Sequence, residues 1–198
     1  MSGKKEAFTY VEEKTLATGL SAVMLTGCAF GAEAFSDTQP VHAAAASKTE
    51  NQRAQELVNS LYQSAFKGEM PQNVRGLKIN QSTRQDVYDK IGEPEQKADS
   101  RNPFDLYSWN MGNSGYGFSY HKNGKISEIR YFGTGVERRL NLGGVTPDVL
   151  SKQIGSADKI LTVSKTGETD YVYHTGQYEL RFVIGSDQKA DHVSLKAR

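Results

Sequence analysis

Four histidines, one cysteine, a handful of serines and a short acidic helix side are the residues of this chain that could do chemistry. His42 falls in a low-complexity segment. His121, His174 and His192 fall on or beside strand-like segments, and none has a partner at the H-x-H or H-E-x-x-H spacing that brings two imidazoles together on a zinc ion. They read as exposed strand histidines. Ser114 lies in Asn113-Ser114-Gly115, a loop triplet outside any G-x-S-x-G frame. Gly133-Thr134-Gly135 and Gly143-Gly144 do not lead from a strand into a helix, as a phosphate-cradling loop must. Asp86, Asp89 and Glu93 could do acid–base work as a carboxylate pair, but on a short helix they read as its solvated side. The sequence implies no catalytic set, no metal and no cofactor.

Cys28 has a different explanation. It ends the run Val23-Met24-Leu25-Thr26-Gly27-Cys28, which resembles a bacterial lipobox, where the thiol carries a lipid anchor. Before it, Leu16 to Thr26 is apolar, uncharged and preceded by Lys14. That run is too short to span a bilayer, which takes about 20 residues, and has the size of a signal-peptide core. A second cut is compatible with the sequence near residues 44–46, where small residues follow Pro40 at Ala-x-Ala spacing. Both cuts mean export, one as a membrane-anchored lipoprotein and the other as a secreted chain. A mature chain with no free thiol suits an oxidising compartment.

The 198 residues carry a net charge of +1, with basic residues set beside acids, as in Glu137-Arg138-Arg139. No stripe of one sign is present for nucleic acid to follow. The expected organisation is a signal peptide at 1–28, a flexible tether at 29–50 and a body at 51–198.

The elements that must position any site come from two periodicities. Ala54, Leu57, Val58, Leu61, Tyr62, Ala65 and Phe66 make one helical stripe ended by Gly68. Beyond it the chain repeats. Thr83-Arg84-Gln85-Asp86-Val87 through Ile91-Gly92 aligns with Thr146-Pro147-Asp148-Val149-Leu150 through Ile154-Gly155 at a constant offset (146 − 83 = 63). In each copy Thr caps a short helix and Gly ends it in a positive-φ conformation. Three strand-like segments follow each helix. Tyr116, Phe118 and Tyr120 alternate with small and polar residues, as do Tyr178, Leu180 and Phe182 with Glu179 and Arg181. The prediction is an α+β body: two tandem helix-plus-three-strand repeats, at about 77–133 and 140–198, forming a mostly antiparallel sheet with helices on one face, preceded by an N-terminal helix.

The segment T-x-x-D-V-x-x-x-I-G-x-P followed by a three-stranded meander resembles the YjgB-type family of exported firmicute proteins. The units also resemble β-lactamase inhibitory proteins and SmpA/OmlA-type lipoproteins, and that resemblance implies a protein-binding role. Strand parity places Ser119, His121, Glu128, Arg130, Glu179 and Arg181, with His192, on the face away from the helices. That face is the expected docking surface for an extracytoplasmic protein, with Arg130 and Arg181 as anchors. Two alternatives stand beside it: a cell-wall polymer binder using the aromatic residues, and an extracytoplasmic enzyme.

Overall fold

The computed structural model describes residues 40–108, 113–135, 138 and 141–198, and for residues 40–50 the backbone alone. The lipobox and Cys28 lie outside the described residues, as does Trp109. Helix α1 runs Pro40–Ala65. The Ala-rich stretch expected as the end of a tether is thus helical from Pro40 onward, and the alternative cut near 44–46 falls inside its first turns. Proline is harmless at a first helical position, and four consecutive alanines are the strongest helix formers available. Low complexity hid a good helix. Ala54, Leu57, Val58, Leu61 and Ala65 are buried as the stripe requires, whereas Phe66 lies past the helix end and is half exposed. Among the described residues no helix is long and apolar enough to cross a membrane.

Two short helices follow, α2 (Arg84–Ile91) and α3 (Pro147–Ile154), capped by Thr83 and Thr146. Gly92 and Gly155 end them at φ +85° and +80°, with ψ close to 180°. That is more restrictive than the left-handed helical region, being open essentially to glycine alone. The seven strands are β1 (Asp105–Tyr107), β2 (Gly115–Tyr120), β3 (Ile126–Gly133), β4 (Lys159–Thr162), β5 (Thr169–Thr175), β6 (Tyr178–Ile184) and β7 (Ala190–Ala197). They form one antiparallel sheet in the order β1-β2-β3-β7-β6-β5-β4. Six strands were expected; β4 is the addition.

The two units meet at β3 and β7. Phe118 pairs with Ile129, and Phe182 with Val193, so the last two strands of each unit correspond at an offset of 64 (182 − 118). Across the junction Ile129 pairs with Leu195 and Tyr131 with Val193, so the same pairing is met from either unit. Arg130 pairs with Ser194 between them, and an approximate two-fold axis passes through that pair. The turns obey it as well. Gly124, at φ +79°, is matched by Gln188 at +61°. Of Asn123-Gly124 only the glycine takes positive φ, and its N–H donates to His121 O, so the turn is the longer kind with a bulge.

One sheet face carries Tyr116, Phe118, Ile129, Tyr131, Val193, Leu195, Leu180, Phe182 and Tyr173, all buried. The helices cover it: α1 packs on α3, on the Leu142–Gly144 turn and on β6. The aromatics are core residues, with Tyr116 Oη donating to Pro71 O and Tyr131 Oη to Asn141 Oδ1. The other sheet face is open.

Candidate functional site

Each strand turns every second side chain to the open face. The registers lay Gly117, Arg130, Ser194, Arg181 and Val172 in one row across the sheet. The row beside it holds Ser119, Glu128, Lys196, Glu179 and His174. Val163, Lys165, Thr166 and Glu168, in the turn between β4 and β5, wall one side. The result is a trough of about 390 Å³ with Arg130, Ser194 and Arg181 along its floor.

Both arginines are fixed by carboxylates. Arg130 Nε donates to Glu128 Oε1 at 2.8 Å, and Ser194 Oγ donates to the same oxygen at 2.8 Å. The Arg130 guanidinium lies 4.1 Å from the centre of the Phe104 ring, a cation–π stack. Its two Nη groups make no hydrogen bond among the described residues. Arg181 donates to Asp170 Oδ2 through Nε, at 2.9 Å, and through Nη2, while Nη1 lies 3.8 Å from Glu179. The bond to Asp170 raises the Arg181 pKa still further, so its charge is permanent. Asp170 is 3% exposed, and its Oδ1 has no hydrogen-bond partner among the described residues. His192 Nδ1 bonds Asp191 Oδ2 at 2.9 Å, and this bond is the main reason the Asp191 carboxyl titrates below the usual range. Among the described residues, Lys165 and Lys196 on the rim have no ion-pair partner.

Residues 58–196 match the family described as a domain of unknown function, DUF4309. The chain belongs to the DUF4309 family. It is 58% identical over 190 residues to a Bacillus subtilis (strain 168) protein described as uncharacterized protein YjgB, across 94% of this chain and 100% of that one. The crystal structure of a DUF4309 family protein (YjgB) from Bacillus subtilis superposes with a TM-score of 0.73 at 65% identity, over 74% of this chain and 99% of that one. An extracellular protein containing an SCP domain from Bacillus anthracis (Ames) gives a TM-score of 0.39 at 13% identity over 64% of this chain and 48% of its own. A likeness that low relates neither fold nor role. The DUF4309 match spans both units and therefore the whole trough.

Of the residues assigned to the docking face, Glu128, Arg130 and Arg181 meet in the trough with His192, and Glu179 adjoins Arg181. Ser119 is on the same face but beyond the trough, where its Oγ pairs with Ser127 Oγ at 2.7 Å. His121 is not on that surface: β2 ends at Tyr120, the hairpin turn begins, and the His121 ring bonds Asn80 Oδ1 at 2.8 Å in a separate shallow depression. Sequence reasoning missed Asp170, Ser194 and Phe104. Asp170 was within reach, since it shares the every-second-residue spacing of Val172 and His174 in β5. Among the described residues no three His, Cys, Asp or Glu side chains are grouped to hold a metal.

Proposed function

We propose that this chain is an exported binding module that docks another extracytoplasmic protein in the trough of its open sheet face. The observation that carries the reading is the fixing of Arg130 by Glu128 on its own strand and of Arg181 by Asp170 on the neighbouring strand. Side chains already immobilised lose little rotamer freedom on binding, and arginine is enriched at binding hot spots. The unused Arg130 Nη groups, with Lys165 and Lys196 on the rim, suit an acidic side chain of the partner. The signal-peptide features before Cys28 support export. The polymer alternative is weaker at this face, because Phe104 lies beneath Arg130 and, among the described residues, no Phe, Tyr or Trp lines the trough for a sugar to stack on.

The test is capture of surface proteins by the purified chain, compared with Arg130→Ala and with Lys165→Glu/Lys196→Glu. Truncating an arginine anchor is expected to cost about 2 kcal/mol of binding, with the lysine variant melting like the parent. A partner retained by both variants puts the site elsewhere. Retention on purified peptidoglycan that falls with the same variants makes the ligand the polymer. For the anchor, Cys28→Ala is expected to move the protein from the membrane fraction to the medium; an unchanged distribution removes the lipid.

A further inference from the structure

The sheet has two edges, and they are built differently. At the β1 edge, Leu106 N–H donates to Gln96 O and Gln96 N–H to Leu106 O, at 2.8 and 3.4 Å. Beyond that bridge Lys97 pairs with Glu93 at 3.0 Å, and Ala98 N–H donates to Asp105 Oδ1 at 2.8 Å. The edge is short and charged, as edges that resist pairing are. At the other edge the corresponding segment is β4, whose four residues are all exposed. Where the first unit has Lys97 and Ala98, the second has Ile160 and Leu161, 60% and 44% exposed.

We infer that β4 is a self-association edge, and that a second copy of this chain pairs with it antiparallel, across a two-fold axis at Leu161. Val163 N–H donates to Glu168 O, and alternation along the ladder then turns Lys159, Leu161 and Val163 toward β5. The N–H and C=O groups of Ile160 and Thr162 point outward. An axis at Leu161 sets Ile160 opposite the partner's Thr162 at both ends, and every one of those outward groups finds a mate. An axis at Ile160 would set Thr162 opposite Asp158, whose N–H is already given to Val172 O. The Leu161 register also brings the two Leu161 side chains together on one sheet face and sets Lys159 against Val163, with no like charges opposed. The molecule already uses this arrangement once, at the β3–β7 junction. A two-fold pairing uses the β4 edge of both copies and leaves outward only the charged edges with Lys97 and Glu93, so association stops at the pair and does not run on into a fibre.

Sedimentation equilibrium of the full chain over rising concentration tests this. A reversible monomer–dimer equilibrium is expected. Leu161→Lys, which sets two lysines directly opposite, is expected to weaken it about tenfold or more by like-charge repulsion, and Ile160→Lys, which faces Thr162, is expected to weaken it less by removing an apolar contact, both at exposed sites with unchanged circular dichroism. In a Cys28→Ser background, Leu161→Cys is expected to form a disulfide-linked dimer on mild oxidation, because facing residues of a non-hydrogen-bonded pair lie within disulfide reach. Thr162→Cys, whose facing residue is Ile160, is expected to link far more slowly. A chain that stays monomeric at every concentration overturns the inference. So does a dimer that both lysine variants leave intact.

Discussion

The unit at 77–133 and the unit at 140–198 share their capped helix, the pairing of their last two strands and the turn between those strands, and on the open face they differ at nearly every side chain. Arg181 occupies the place that Gly117 holds in the first unit, and Asp170 the place of Phe104. A Cβ on Gly117 would meet Phe104, Leu106 and Phe132 at 3.3 to 3.4 Å, so those apolar groups close over the glycine. Arg130 lies on Phe104. The first half of the face is a small second core, and the second half is a charged trough. On the helix side the units stay alike: Tyr107 Oη donates to Gly92 O at 3.1 Å and Tyr173 Oη to Gly155 O at 3.4 Å. Side chains that close the core obey the two-fold. Those facing water have diverged, and that divergence confines the candidate site to the axis and the second unit.

Removing Arg181 breaks this comparison most severely. Asp170 is almost fully buried, so Arg181→Ala leaves a buried carboxylate without its cation, a loss of about 3–5 kcal/mol. Chemical denaturation reads it. The double variant Asp170→Val/Arg181→Leu, which gives the second unit an apolar filling like the first, is expected to recover most of the loss, since well-packed apolar groups commonly replace a buried pair at no cost. A double variant as unstable as Arg181→Ala would mean that the trough has no apolar alternative. Arg181 is therefore a poor first choice for mapping binding, because lost folding imitates lost affinity; Arg130, one-third exposed, is cleaner.

The same contrast separates what was legible in the sequence from what was not. The core rows and both short helices could be read because burial imposes a period, two along strands and 3.6 along helices. Strand parity put Glu128, Arg130, Glu179 and Arg181 on the correct face for the same reason. Their partners could not be read. Arg181 finds Asp170 eleven residues away only because β5 and β6 pair in one register, and sequence spacing does not fix that register. β4 was invisible because its four residues are exposed and carry no alternation. His121 was misplaced because parity was carried one residue beyond the end of β2.

Next in size is a pair of substitutions expected to behave alike. Gly92→Ala and Gly155→Ala each force a side chain into a conformation that only glycine occupies freely, at about 1–3 kcal/mol apiece. A Cβ at either position meets nothing within 4 Å, so no packing change blurs the reading. Equal losses in thermal or denaturant unfolding are the expected result. A difference above about 1 kcal/mol would show that the two helix ends are held differently despite matching geometry.

The smallest effect tests the two helix starts, where the units part again. Thr83 Oγ1 accepts from Asp86 N–H at 3.2 Å, and Asp86 Oδ2 accepts from Thr83 N–H at 2.6 Å, a closed capping box. Thr146 Oγ1 accepts from Val149 N–H at 3.3 Å, and valine returns nothing. The Thr83 backbone N–H, aided by its hydroxyl, holds the Asp86 carboxyl below its ordinary value of 3.8. In the pH window between the folded and the unfolded value, the unfolded chain carries a proton that the folded chain does not. The carboxylate's contribution is therefore complete above pH 3.8 and is lost as pH falls through the lowered value. Asp86→Ala should accordingly lower stability at neutral pH and progressively less in acid, whereas Thr146→Ala, which breaks a bond with no titrating group, should cost about 1 kcal/mol at both. Urea unfolding of the parent and both variants at pH 7 and pH 2.5 decides it. An Asp86→Ala deficit that stays constant with pH would show that the carboxylate's charge adds nothing to the cap. The two helix starts would then differ only in geometry.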